Sequence, residues 1–348
     1  MNTGSLPLVS IVVPAYNCER YVRESLTSIL AQTYPNTEVL VMDDCSTDGT
    51  PEVVAPFLGR IKYYRQNQNR GIYANANDGI ARVSGEYIAI YHADDVYEPR
   101  IIEREVEFLR RYDQVGAVFC SAVLIDPEGR TEGHIVLPPE VRGERPLSFS
   151  TIFNSLLKYK NKFLMCPSSM VRADVYREVG LYREEIFRNT SDLDMWLRIA
   201  QKFSLGVLEE NLFRYRYGHG NSAMRYHAAR TEPERYFMIM DLLLEKTGPT
   251  VATAETLAAY EAHRAEDQLM RTVSAYVVDR MSDARRILRE VRLSNLLGSA
   301  SIERGRLGIL FVALQILVRL PRLQIVGRLF SWRWQGKGRR GRGGGKRR

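Results

Sequence analysis

The chain has 348 residues, 45% hydrophobic and 26% charged, which is long and apolar enough for one large globular domain or two ordinary ones. Its net charge of +8 is unevenly spread: eleven Lys and Arg and no acid lie between Arg319 and Arg348, so the body is near neutral and the basicity belongs to a tail. The four cysteines (Cys18, Cys45, Cys120, Cys166) form no Cys-x-x-Cys pair and no metal-finger spacing, which excludes a disulfide framework or a zinc finger and predicts free thiols in a reducing cytosol. Residues Met1 to Pro7 lack the basic start and apolar core of a secretion signal. No run reaches the roughly 18–20 apolar residues of a spanning helix; the longest, Leu307 to Val318, is interrupted by Gln315.

In chain order, Val9 to Val13 is apolar apart from Ser10 and lies between Pro7 and Pro14, the pattern of a fully buried parallel strand. A helical pattern follows from Tyr21 to Gln32, with Leu26, Ile29 and Leu30 on one face, and then a second strand from Glu38 to Met42 that ends in Asp43-Asp44. Ser46 to Thr50 is a turn and helix start, with Pro51 suited to an early helical position. A third strand spans Ile61 to Tyr64 and a helix spans Ile72 to Arg82. Tyr87 to Tyr91 is a short apolar and aromatic run opened by Gly85 and closed by His92-Ala93-Asp94-Asp95. A helix from Pro99 to Tyr112 and a strand from Val115 to Leu124 continue the alternation, which predicts an α/β fold with a doubly wound, parallel sheet.

Carboxylates at strand ends are where such sheets hold ligands. Asp94 and Asp95 have the oxygen chemistry of a Mg²⁺ or Mn²⁺ site, although the pair could equally cap the helix after Pro99. The first strand is followed by Pro14-Ala15-Tyr16-Asn17, not Gly-x-Gly-x-x-Gly, and no P-loop occurs, which argues against a dinucleotide dehydrogenase and a P-loop enzyme.

The ordered set Val9 to Asn17, Val39 to Thr50, Asn69-Arg70-Gly71, Gly85 to Ile88 and Ala93-Asp94-Asp95 resembles family-2 glycosyltransferases of the GT-A fold, over about residues 7 to 222. The resemblance implies an inverting enzyme that uses a nucleotide-diphosphate sugar and a divalent cation, Mg²⁺ or Mn²⁺. It implies that Pro14, Tyr16, Asp43, Asp44 and Arg70 serve the nucleotide and that Asp94 and Asp95 hold the metal. The chain departs from the family where His92 replaces a common Asp and Ala76 replaces a common Arg.

Beyond that core, Glu132 to Pro139 reads as a hairpin arm and Ala173 to Val179 as a helix closed by Gly180. Leu193, Trp196, Leu197 and Ala200 recur at helical spacing, which puts Asp192 in a first turn with Ser191 as N-cap. Asp192 and Asp194 could both be caps; the resemblance makes Asp192 the catalytic base, with Asp194 in reserve. Phe203 to Leu208 reads as a strand, and Tyr215-Arg216-Tyr217-Gly218-His219 resembles a closing motif whose Arg216 and His219, like His92, would touch the diphosphate or close the site.

The expected domains are a catalytic domain over 1–222, a helical extension over 223–300, and an amphipathic segment with a disordered basic tail over 301–348. Apolar and aromatic residues mixed with arginines after Gly308, broken at Pro321, suit the surface of an anionic membrane, which predicts a cytoplasmic protein peripheral on the inner face. A UDP-sugar is the first-choice donor, with GDP- and dTDP-sugars open, and the acceptor is expected to be a saccharide or lipid-linked hydroxyl. The rival readings are a sugar-nucleotide-binding protein with impaired catalysis, and an adaptor that uses the tail on membrane or RNA.

Overall fold

The computed structural model describes residues 6–218, 230–247, 250–297 and 301–319, without the side chains of 301–304. His219, Pro321 and the basic tail beyond residue 319 lie outside the described residues. These residues divide into two compact units, one within Met1–Asn221 and Leu243–Ala252, the other within Ser222–Leu242 and Thr253–Arg348.

The first unit is built on a nine-stranded sheet. Strands β1 (Val9–Ala15), β2 (Thr37–Asp43), β3 (Lys62–Arg65) and β4 (Tyr87–Ile90) alternate with helices α1 (Val22–Ile29), α2 (Thr50–Val54) and α3 (Ile72–Ile80). They pair in parallel in the order β3-β2-β1-β4. Every residue of β1 is buried, as expected of a strand covered on both faces, whereas β3 is an edge strand carrying Lys62 and Arg65. The chain leaves β1 toward β2 on one side and returns to β4 on the other. That reversal opens a crevice at the carboxyl ends of β1 and β4.

Past β4 the sheet becomes mixed. A two-residue β5 (Val96–Tyr97) precedes α4 (Ile101–Arg111), and β6 (Val115–Ile125) is followed by β7 (Thr131–His134), the expected hairpin arm, antiparallel to β6. Helix α5 (Phe149–Tyr159) then leads to β8 (Ser169–Arg172), which runs antiparallel between β4 and β6. Helices α6 (Ala173–Val179), α7 (Glu184–Phe187) and α8 (Ser191–Ala200) precede β9 (Ser204–Arg216). β9 lies parallel to β6 and is much longer than the strand expected at Phe203 to Leu208. Neither α5 nor β8 is expected from the sequence: β8 has only four residues, preceded by Pro167 and Ser168.

The second unit contains helices Ala254–Val277, Met281–Glu290, Leu293–Leu297 and Ser301–Leu317. Thr253 caps the first of them by accepting from the Thr256 amide. Leu269, Ala284, Leu288, Leu307 and Leu314 share one apolar core. The opposite face of the last helix leaves Ile309 73%, Val312 57% and Ile316 54% exposed. Among the described residues no helix is long and apolar enough to cross a membrane.

Gly85 sets the approach of β4 to β1. A Cβ there would lie 2.7 Å from the Ser10 amide nitrogen and 2.8 Å from the Leu8 carbonyl oxygen, and backbone cannot move aside as a side-chain tip can. Gly85→Ala is therefore expected to destabilise the fold by about 1–3 kcal/mol in urea denaturation. Gly59→Ala, whose Cβ would meet nothing within 4 Å, is the control and should be near neutral.

Candidate active site

The loops after β1 and β2 are laced together. The Asn17 amide donates to Ser46 Oγ at 3.0 Å, and Asn17 Oδ1 accepts from the Thr47 amide at 2.8 Å. Pro14 lies within β1, and Tyr16 stands exposed just past its end. The two acids closing β2 differ in use. Asp43 is fully buried and accepts from the Ser46 amide (2.7 Å) and the Tyr63 hydroxyl, so its oxygens serve the fold. Asp44 accepts from the Arg70 amide at 2.8 Å and the Gly71 amide at 2.9 Å, one on each oxygen. Burial raises its carboxyl above the usual range, against the pull of those two amides. Each oxygen keeps a second lone pair for an N–H donor. The Arg70 side chain pairs with Asp78.

At the end of β4, one nitrogen of His92 and one carboxylate oxygen each from Asp94 and Asp95 lie within 4.8 Å of one another. The strand β5 separates these acids from α4, whose N-cap is Arg100, so Asp94 and Asp95 do not cap that helix. Asp95 is 1% exposed; its Oδ1 accepts from the Arg216 amide at 2.8 Å, and its Oδ2 is buried with no hydrogen-bond partner among the described residues. Burial, and secondarily the charge of Asp94, raise its carboxyl well above the ordinary value. His92 Nε2 is also buried without a partner among the described residues, and burial lowers its pKa, favouring neutral imidazole. A buried oxygen and a buried nitrogen left unpaired in one cluster fit a divalent cation, which would satisfy both.

The Arg216 guanidinium is spent on the protein. Nε donates to the Asp94 carbonyl at 2.9 Å, Nη1 to the carbonyls of Asp126 and Pro127, and Nη2 to Glu24 at 2.7 Å. It also lies 4.7 Å from the Tyr21 ring centre. These four bonds make Arg216 a brace for the Asp94-Asp95 turn.

On α8, the expected cap is displaced by one residue: Thr190 is the N-cap and Ser191 is helical, its hydroxyl donating to the Arg188 carbonyl. Leu193, Trp196, Leu197 and Ala200 are buried as their spacing predicts. Asp194 is gripped by two arginines, accepting from Arg183 Nε at 2.9 Å and Arg198 Nε at 3.0 Å. Asp192 has no ion pair among the described residues; it accepts from the Leu193 amide at 2.8 Å. Burial pushes its carboxyl up to about 6, partly opposed by the Leu193 amide and the Tyr73 phenol beside it. A carboxyl raised to about 6 can take up a proton near neutral pH.

Two contacts that join these parts are not legible in the sequence. Glu184 Oε2 accepts from the Tyr73 and Ala74 amides (2.7 and 2.6 Å), capping α3 from 111 and 110 residues away. Gly71 opens that helix at φ +90, and a Cβ there would collide with the same carboxylate. A helix start with no capping side chain of its own was the available signal, but it does not say which acid supplies the cap. The second is electrostatic: the ionisation of Tyr215 is opposed first by burial and then by the charges of Asp95, Asp94 and Asp192, so the β4 carboxylates and Asp192 all act on one phenol.

Residues 10–180 match the sequence model of Glycosyl transferase family 2. A Bacillus subtilis protein named as a glycosyltransferase, EpsE, is 33% identical over 222 residues, covering 62% of this chain and 74% of the relative. TuaG of Bacillus subtilis, named as a teichuronic acid biosynthesis glycosyltransferase, is 27% identical, covering 62% and 81%. The structure of S. aureus TarS 1–349 in complex with UDP-GlcNAc superposes with a TM-score of 0.58 at 17% identity, covering 91% of this chain and 92% of that one. The mannosyltransferase PcManGT from Pyrobaculum calidifontis, in complex with GDP-Man and Mn²⁺, gives 0.53 at 18%, covering 93% and 87%. At these identities the two structures speak for the fold alone. The fold is therefore of the GT-A type, and the chain belongs to glycosyl transferase family 2.

The raised pKa of Asp192 has a consequence for stability. Its unfolded value is about 3.9 and its folded value about 6, so between them the native state holds more protons than the unfolded chain. Stability from this group is present below pH 4 and declines as pH rises through 6, by on the order of 3 kcal/mol. Asp192→Asn should accordingly be more stable than the parent at pH 8 by about that amount, with the gap closing toward pH 4.5, as read from urea midpoints.

Proposed function

We propose that this glycosyltransferase is an inverting enzyme. It moves a sugar from a nucleotide-diphosphate sugar, UDP-linked in the first instance, to a hydroxyl of a saccharide or lipid-linked acceptor in cell-surface polysaccharide or glycolipid synthesis. The observation that carries the reading is that the Asp94-Asp95 pair and, separately, Asp192 all act electrostatically on one phenol, that of Tyr215. A donor diphosphate on the first group and an acceptor hydroxyl at the second would bring the reacting atoms between them. The donor class is supported by the UDP-GlcNAc and GDP-Man bound in the TarS and PcManGT structures, and the polymer role by the name of TuaG.

In this reading Pro14 and Tyr16 line the nucleoside pocket, and Asp44, held by two backbone amides, accepts from the base. Asp43 and Arg70 act in support, Asp43 through the fold of the loop. Asp94 and Asp95 would hold Mg²⁺ or Mn²⁺, which when bound neutralises charge on the departing diphosphate. Arg216 keeps Asp95 aimed by its backbone amide. Asp192 takes the proton of the acceptor hydroxyl as that oxygen attacks the anomeric carbon. The carbon–oxygen bond to the nucleoside diphosphate breaks with its electron pair, and the configuration inverts. Tyr73 shapes the basicity of Asp192 from the first turn of α3.

The last helix supports a peripheral place on the inner face of a membrane. Its exposed Ile309, Val312 and Ile316 form one stripe, spaced by three and four residues, and eleven cationic residues follow Val318.

Asp192→Asn should lower transfer turnover by roughly 10²–10⁴-fold with donor affinity little changed, and the parent's rate should rise with pH through about 6. Loss of activity in Asp194→Asn alone would reassign the base. A melting-temperature panel of UDP, GDP and dTDP with Mn²⁺ identifies the donor base; no stabilisation by any of them would end the nucleotide-sugar reading. Flotation with anionic but not neutral liposomes is expected of the full chain and not of a chain ending at Arg306. Equal flotation of both would remove the membrane role.

A further inference from the structure

The cluster at the end of β4 is not an all-oxygen site. His92 brings an imidazole nitrogen within 4.8 Å of the carboxylate oxygens of Asp94 and Asp95. In an octahedral sphere with bonds of about 2.1 Å, ligand atoms stand about 3 Å apart along an edge and about 4.2 Å apart across it, so only a small closure is needed. The turn is anchored at its backbone. The His92 amide donates to the Tyr97 hydroxyl at 2.6 Å, and the His92 carbonyl accepts from Ser25 Oγ at 3.0 Å. Beneath it Tyr97 stacks on Tyr91 with ring centres 4.1 Å apart. A pinned backbone over a packed aromatic pair gives the ring little freedom to leave. Among the described residues, Asp95 Oδ2 and His92 Nε2 in this turn are both buried and without a hydrogen-bond partner.

Ligand type selects the metal. Mg²⁺ is a hard ion that prefers oxygen, whereas imidazole suits borderline transition ions, and affinity for such sites rises from Mn²⁺ through Co²⁺ and Ni²⁺. Exchanging a carboxylate for an imidazole also removes one negative charge from the shell, which costs a hard cation more than a borderline one.

We propose that His92 is itself a ligand of the divalent cation, giving this chain a mixed nitrogen–oxygen centre that prefers Mn²⁺ and later first-row ions to Mg²⁺. The inference rests on the assignment of Asp94 and Asp95 as metal carboxylates and adds to it a third ligand and a selectivity.

The test uses full-length, tag-free protein with MnCl₂, alone and with UDP, in imidazole-free buffer. Pulsed electron paramagnetic resonance should detect a ¹⁴N coupling to bound Mn²⁺, and growth on ¹⁵N-histidine should convert it to a ¹⁵N pattern. That comparison needs no substitution, so it holds even where a variant fails to fold. In His92→Asp the nitrogen coupling should vanish, and the ratio of Mn²⁺ to Mg²⁺ affinity by calorimetry should fall about tenfold or more as Mg²⁺ binding improves. Mn²⁺ bound by the parent with no nitrogen coupling would overturn the proposal while leaving the carboxylate site intact, as would an unchanged selectivity in a folded His92→Asp. Mn²⁺ binding unaffected by Asp95→Ala would overturn the carboxylate assignment and this proposal with it.

Discussion

The hydrogen bond from the Arg216 amide to Asp95 Oδ1 is the constraint on which the rest of the site depends. It joins the end of β9 to the turn after β4 across 121 residues, and the parallel register of β6 and β9 decides that Arg216 arrives there. A buried guanidinium is tolerable only where its donors are met, and Arg216 meets them on Asp94, Asp126, Pro127 and Glu24. The charge that fixes the turn thus also offsets the paired acids, while Oδ2 of Asp95 is left over. Because Tyr215 precedes Arg216, the same strand end carries the phenol on which both carboxylate groups act electrostatically.

A second regularity is that acids close in sequence are given different work by their surroundings. Asp43 is consumed by the Ser46 amide and the Tyr63 hydroxyl, while Asp44 holds the Arg70-Gly71 backbone with lone pairs to spare. Asp194 is paired with Arg183 and Arg198, while Asp192, with no ion pair among the described residues, has its carboxyl pushed up by burial to about 6. Glu184 connects the two regions: it caps α3 behind the Asp44 loop and sits in the chain shortly before α8.

The half of the sheet that holds the crevice was open to sequence reading, because buried parallel strands such as Val9–Ala15 and Tyr87–Ile90 are nearly continuous apolar runs. The mixed half was not. β5 is two residues long, β8 is four, and both owe their existence to pairing with distant strands. Among the site residues, Asp44, Asp94, Asp95 and Asp192 stand at strand or helix ends, where local pattern exposes them. Arg216 could be named from its motif, but not its commitment to the Asp94-Asp95 turn, which depends on β9 running on to residue 216. The contact of Tyr73 with Asp192 is a long-range contact of the same kind, invisible in a local pattern.

The central claim is that the β4 carboxylates and Asp192 are two sides of one site. The most direct measurement is the anomalous difference map of a crystal grown with UDP and Mn²⁺. The account predicts a single Mn²⁺ peak bonded to Asp95 and bridged to the diphosphate, with the base beside Asp44 and the Asp192 carboxylate facing the open end of the diphosphate. A nucleotide seated elsewhere, or a Mn²⁺ peak with Asp192 turned away from the diphosphate, would contradict it.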